Sequence, residues 1–148
     1  MTKLKGLRWW MISLIMLGSV INYLTRSTLS VAAPTVLKEL NIGEKEYSWL
    51  VAAFQGAIMA QPIAGLVLDA IGLRTGFAIF AIAWSIINMM HGLANGWPML
   101  AGLRAMLGFA EGSANPAGMK ATAEWFPAKE RGIAGGIFNI GASAGSML

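Results

Sequence analysis

Residues 9–33 read WWMISLIMLGSVINYLTRSTLSVAA, an apolar run broken by small polar residues and by Arg26. At about 1.5 Å per residue a helix of this length reaches roughly 37 Å, enough to cross about 30 Å of bilayer hydrocarbon with some tilt. In lipid only helices and closed barrels satisfy their backbone polar groups, and this run is too long and too weakly alternating for a barrel strand. The expected element is a membrane-crossing helix ended by Pro34, followed by a polar loop over residues 38–46 that contains Asn41 and Gly43.

The same pattern repeats along the chain, with further spans expected at 47–68, 75–93 and 97–118 joined by short connections. A fifth begins near Ile133 and is still apolar at Leu148. A membrane helix needs about 20 residues, so this last segment reads as truncated and the chain as an amino-terminal fragment: four complete spans plus part of a fifth. Composition agrees. Of the 148 residues 56% are hydrophobic and 12% charged, and the mean hydropathy is +0.61. Soluble domains carry about a quarter charged residues, so an all-α membrane protein is expected and a soluble enzyme is not. The net charge of +4 comes from sparse residues with no basic stripe, which argues against nucleic acid as a partner. With no Cys and a single His there is no disulfide, no thiolate site and no histidine pair for zinc, so neither metal nor cofactor is expected.

Lys3, Lys5 and Arg8 before an apolar run, with Ala32-Ala33-Pro34 after it, also resemble a signal peptide. The full span length, Arg26 within it and the later spans argue against that reading. Charge placement sets the orientation: Lys3, Lys5, Arg8, Arg74, Lys120, Lys129 and Arg131 fall on the amino-terminal side, and only Lys38 and Lys45 opposite. The amino terminus is expected in the cytoplasm.

Three ionisable residues lie inside spans: Arg26 in the first, Arg104 and Glu111 in the fourth. A charge at the bilayer centre costs at least about 2.5–3.5 kcal/mol, so it is kept where it meets a cavity or a partner. Around Arg26, the residues Ser19, Asn22, Tyr23 and Ser30 fall on one helix face, a polar stripe expected to face water or substrate. Arg104, Gly108, Glu111 and Asn115 share a face of the fourth helix. Arg104 and Glu111 lie about 10 Å apart along the axis, which strains a direct pair. A carboxylate at this depth suits a proton relay, and arginines that never deprotonate suit fixed anion sites. Together they describe a site for an acidic solute coupled to a proton. The alternative is that Arg104 and Glu111 pair with each other or with neighbouring helices and hold the bundle together.

His91, near the outer surface, reads as an interfacial residue and Lys120 as a side chain snorkelling to the cytoplasmic surface. Trp9, Trp10, Trp97 and Trp125 fall at span ends as aromatic anchors, and Gln55 is a cavity hydrogen-bonder. The pairs Gly108/Gly112, Gly132/Gly136 and Gly141/Gly145 are spaced to let helices approach closely.

The stretch from Gly65 through Asp69 and Gly72 to Arg74 resembles the G-x-x-x-D-R-x-G-R-R signature of the major facilitator superfamily, departing from it at Ala70 and Leu73. Arg104 with Gly108 and Gly112 resembles that superfamily's fourth-helix R-x-x-x-G-x-x-x-G element. Gly108-Phe109-Ala110-Glu111, Asn115-Pro116, Lys120, Glu124-Trp125-Phe126-Pro127 and Glu130-Arg131-Gly132 are similar to the anion:cation symporter family within it. Gly6-Leu7-Arg8-Trp9, Asn22-Tyr23-Leu24-Thr25-Arg26 and Ala32-Ala33-Pro34-Thr35 resemble its bacterial hexuronate-type members.

The resemblance implies a twelve-helix fold of two six-helix bundles, of which residues 1–148 are an incomplete first bundle. It also implies proton-coupled symport of glucuronate or galacturonate across the bacterial inner membrane by alternating access, with the complete protein monomeric. Arg26 becomes the substrate carboxylate anchor, with Asn22, Tyr23 and Gln55 as further substrate contacts and Glu111 as the proton-coupling acid. Asp69, Arg104, Gly65, Gly72 and Arg131 take structural or gating roles. Thr25 stands where aldonate symporters of the family commonly carry an aspartate, and Ala57-Ile58 where hexuronate-type members often carry a tyrosine. Other readings are a symporter for an aldonate, an aldarate or another organic anion, and a non-transporting sensor or truncated product.

Overall fold

The first helix does not end where its proline stands. In the computed structural model, which describes residues 6–147 apart from the side chains of Thr28, Leu29, Ser30, Ala32 and Ser146, α1 runs over Leu7–Glu39 with Pro34 inside it. Pro34 removes one backbone donor, but the turn beyond it is held by packing, because Val36, Leu37 and Leu40 cover a cluster of Ile42, Leu50 and Leu100. The helix ends instead at Asn41, whose φ of 49° is left-handed, with the Ile42 N–H donating to the Leu37 carbonyl at 2.9 Å. That is the Schellman closure, with an asparagine in the place glycine usually takes. The connection expected over 38–46 shrinks accordingly, since α2 begins at Glu44. Lys3, Lys5, the Ser30 side chain and Leu148 lie outside the described residues.

The second span is not one helix. It divides into α2, Glu44–Ile58, and α3, Gln61–Ile71, bent by 41°. Pro62, at the start of α3, has no N–H to continue the ladder and its ring excludes a straight path, which accounts for the bend. Gly72 follows with φ of +85°, a conformation that suits glycine, and reverses the chain into α4, Leu73–His91. The fourth span is interrupted at Ser113, three residues before Pro116, into α5, Trp97–Gly112, and α6, Ala114–Trp125, and so reaches further than residue 118. Finally α7 covers Arg131–Met147. Every element among the described residues is α-helical.

α2 packs along α5, α1 along α7 and α6, and α4 against α5 and α3. Their shared core includes Ile12, Phe54, Leu68, Phe80, Trp84, Leu103, Leu107, Phe126 and Phe138. The outside is apolar as well: Trp10, Val31, Met59, Leu66 and Met89 are each at least two-thirds exposed. So many large apolar side chains exposed at once suit lipid rather than water. By length and hydropathy, Leu7–Ser27 of α1 and Leu73–His91 suffice to cross a membrane, and the bent pair α2–α3 qualifies when taken together.

Two of the three glycine pairs work as close-packing positions. A Cβ on Gly108 would fall on the Phe54 carbonyl oxygen of α2, and one on Gly145 would lie 2.7 Å from the Val20 carbonyl oxygen of α1. Among the described residues nothing lies within 4 Å of a Cβ placed on Gly132 or Gly136, so these residues form no close approach here. Trp9, expected as an interfacial anchor, packs edge-on against Phe126 at 5.1 Å.

Candidate functional site

Side chains of α1 and α5 bring opposite charges together. Glu111 is buried, with a side chain 0% exposed, and its Oε2 lies 3.7 Å from Nε of Arg26, whose side chain keeps 33% exposure. That separation makes an ion pair rather than a hydrogen bond. The Thr25 hydroxyl lies 3.2 Å from the other carboxylate oxygen, Oε1. Glu111 is thus held across the helix interface by two consecutive residues of α1.

Arg104 does not join this pair. It is buried, its Nε has no hydrogen-bond partner, and its guanidinium carbon sits 5.6 Å from the centre of the Phe54 ring. Arg26 approaches the same ring at 5.2 Å and the Tyr23 ring at 5.0 Å. Phe54 therefore has two guanidinium groups near its ring, each within the range of a cation–π attraction. Among the described residues the only carboxylate paired with either arginine is Glu111, so the Arg104–Glu111 pair considered from the sequence is not formed.

The rest of the polar stripe differs from expectation. Ser19 and Asn22 turn into the bundle rather than toward an opening; each is 2% exposed, and the Asn22 amide nitrogen is buried without a partner. Tyr23 is half-buried. Gln55 is exposed and is not brought to Arg26; the α2 residue that touches the arginines is its neighbour Phe54. Phe54 repeats the buried face set by Leu50 one turn earlier, and a one-residue step of about 100° turns Gln55 away. In an apolar run an aromatic residue reads as core, so only the neighbouring arginines could have signalled its role.

A second constellation joins α3 to α6. Lys120 Nζ lies 2.5 Å from Asp69 Oδ1, 3.1 Å from the Leu68 carbonyl oxygen and 3.6 Å from Glu124 Oε1. Lys120 therefore bridges two helices instead of merely snorkelling. Gly65, one turn before Asp69, faces Pro116 of α6 with room for ordinary contact, and Gly72 supplies the turn after it. Arg131 donates from Nε to the Phe126 carbonyl at 3.1 Å and from Nη2 to the Ala123 carbonyl at 2.9 Å, capping the end of α6 from the start of α7. Arg8 pairs with Glu130 at 3.0 Å and lies over Phe126, tying the start of α1 to the same corner.

His91 lies half-buried at the end of α4, its Nδ1 2.8 Å from the Ile87 carbonyl oxygen. With Thr25, Asn88 and Arg104 it lines a cavity of about 340 Å³. No group of three or more His, Cys, Asp or Glu residues that could hold a metal occurs among the described residues.

The sequence profile of the Major Facilitator Superfamily matches residues 15–148. Over its full length the chain is 50% identical to the hexuronate transporter of Escherichia coli strain K12, covering 34% of that protein. It is 48% identical to the galacturonate transporter of Dickeya chrysanthemi, covering 43% of it. A probable galactarate/D-glucarate transporter of Escherichia coli strain K12 is 34% identical over 93% of this chain and 33% of its own length. The chain thus spans about a third of the length of its Escherichia coli relatives. With its lipid-compatible exterior and a profile match over most of its residues, the chain belongs to the Major Facilitator Superfamily of multi-pass membrane proteins.

Proposed function

We propose that this chain forms part of the first six-helix bundle of a proton-driven hexuronate symporter, which carries glucuronate or galacturonate across the bacterial inner membrane by alternating access. In this reading the twelve-helix protein is monomeric, holds its amino terminus in the cytoplasm, needs no cofactor and performs no covalent chemistry. The observation that carries the proposal is the pairing of buried Glu111 with partly exposed Arg26. The names of the relatives, a hexuronate and a galacturonate transporter, support the substrate class.

The geometry suits coupling. At 3.7 Å the ion pair leaves the terminal nitrogens of Arg26 available, and a planar guanidinium binds a carboxylate through two parallel hydrogen bonds. An ionised Glu111 competes for that guanidinium. A protonated Glu111 loses its attraction and yields Arg26 to the sugar-acid carboxylate, so proton and substrate load together. Tyr23, half-buried beside Arg26 on the same helix, offers a partner for a sugar hydroxyl, whereas the buried Asn22 and the outward-turned Gln55 do not reach Arg26's open side in this conformation. Asp69 with Lys120, Gly65, Gly72, Arg104 and Arg131 keep the helices in the register that the conformational swing requires.

Uptake of labelled glucuronate by cells expressing the complete reading frame, with and without a collapsed proton gradient, tests the proposal. Gradient-dependent accumulation is expected. Glu111→Gln should abolish accumulation against a gradient while leaving counterflow exchange, and full concentrative uptake by that variant overturns the assignment of Glu111. If uptake fails in correctly inserted protein, competition among unlabelled aldonates and aldarates identifies the anion carried instead.

A further inference from the structure

The Thr25 hydroxyl faces two acceptors at once. Its Oγ1 lies 2.9 Å from the Asn22 carbonyl oxygen on its own helix and 3.2 Å from Glu111 Oε1 on α5. A hydroxyl carries one proton and two acceptor lone pairs, so it can donate fully to only one of them. We infer that Thr25 is a positioning residue that reads the protonation state of Glu111 and relays it to the turn of α1 carrying Arg26.

This role of Thr25 rests on the proposed coupling role of Glu111 and is traced by the hydroxyl proton. While Glu111 is ionised both of its oxygens are acceptors, and the charge-assisted bond from Thr25 to Oε1 is the stronger choice. When a proton arrives on Oε1, that oxygen becomes a donor. It then gives its hydrogen to Thr25 Oγ1, and the Thr25 proton turns to the Asn22 carbonyl, the back-bond to residue i−3 that threonine makes readily in helices. No covalent bond changes other than that of the arriving proton; the hydrogen-bond chain reverses its direction. In the same event Oε2 loses the negative charge that attracted Arg26 Nε. One proton therefore changes both links between Glu111 and α1, and the turn affected spans Asn22, Tyr23, Thr25 and Arg26.

The charges around this turn leave Glu111 as the group the relay answers to. Arg26 of α1 and Arg104 of α5 are the cations nearest the carboxylate, with Tyr47 of α2 and His91 of α4 facing Arg104. Asp69 of α3, Lys120 and Glu124 of α6 and Arg131 of α7 are engaged with one another or with the carbonyls that end α6.

The test uses the complete protein reconstituted in liposomes, with glucuronate affinity measured across pH and the Glu111 carboxyl band titrated by infrared spectroscopy without substrate. Thr25→Val keeps the shape and removes the donor; Thr25→Ala serves if the valine variant folds poorly. Losing the hydrogen bond that favours the carboxylate should move both midpoints to higher pH by about one unit, and Thr25→Ser should restore them. A Thr25→Val midpoint unchanged by both readouts overturns the inference. A Glu111→Gln variant that retains the wild-type affinity profile and the titrating infrared band overturns the reading of Glu111, and the relay with it.

Discussion

Two guanidinium groups share one phenyl ring, and the worth of that arrangement can be measured at single residues. Phe54 lies 5.2 Å from Arg26 and 5.6 Å from Arg104, and among the described residues Glu111 is the carboxylate paired with either of them. Desolvated cation–π contacts contribute up to about 2 kcal/mol each, so replacing the ring with an aliphatic side chain loosens Arg26. Phe54→Leu should raise the glucuronate KM roughly tenfold with little change in kcat, while Phe54→Tyr stays near wild type. Equal kinetics for the leucine and tyrosine variants would show that the ring only fills space. Arg26→Lys keeps the charge but loses the planar fork, and a KM increase of at least about tenfold is expected; an unchanged KM removes Arg26 from the site. Arg26 and Glu111 were both legible in the sequence, because a charge inside a span has to meet something. Their pairing was not, because spacing along one helix says nothing of which neighbour crosses it. Phe54 is not legible for a simpler reason: within an apolar run its neighbour Gln55 carries the polar signal, and the rotation of α2 decides which of the two faces the arginines.

At the scale of elements, the apolar runs located the helices and local rules misjudged where they break. Pro34 was expected to end α1, yet the turn beyond it is held by the Ile42, Leu50 and Leu100 cluster. Pro62 and Pro116, inside runs long enough to be single spans, coincide with the interruptions between α2 and α3 and between α5 and α6. Proline alone therefore does not decide; the packing on its far side does. Glycine shows the same dependence. Gly108 and Gly102 lie on the same helix, but a Cβ on Gly108 would fall on the Phe54 carbonyl oxygen whereas Gly102 has nothing within 4 Å. Gly108→Ala should destabilise the protein by about 1–3 kcal/mol through overpacking of α5 on α2. Gly102→Ala should be neutral or stabilising by up to about 1 kcal/mol, through helix propensity. Thermal unfolding of both variants in detergent checks the pair; similar midpoints would mean that α2 and α5 are not in contact through Gly108.

At the scale of the whole molecule, an apolar exterior and polar ends place the charged loops outside the hydrocarbon, and the distribution of lysine and arginine sets which loops share a side. Lys129, between α6 and α7, belongs to the group expected in the cytoplasm. Lys45, at the start of α2, belongs to the opposite side. Both are exposed, and these 148 residues contain no cysteine, so a single cysteine introduced at either position reports without background from this part of the protein. With a membrane-impermeant maleimide on intact spheroplasts, Lys45→Cys should label fully and Lys129→Cys should remain unlabelled until the membrane is permeabilised. Neither residue takes part in the Arg26–Glu111 pair or the Asp69–Lys120 bridge, so the labels read topology without disturbing the site. The reverse pattern would invert the protein in the membrane. Labelling of both positions from outside would mean that an odd number of crossings does not separate them. At least one of the three helical stretches between them, α2–α3, α4 and α5–α6, would then fail to traverse the bilayer, and the even spacing of loops on the two sides would be lost.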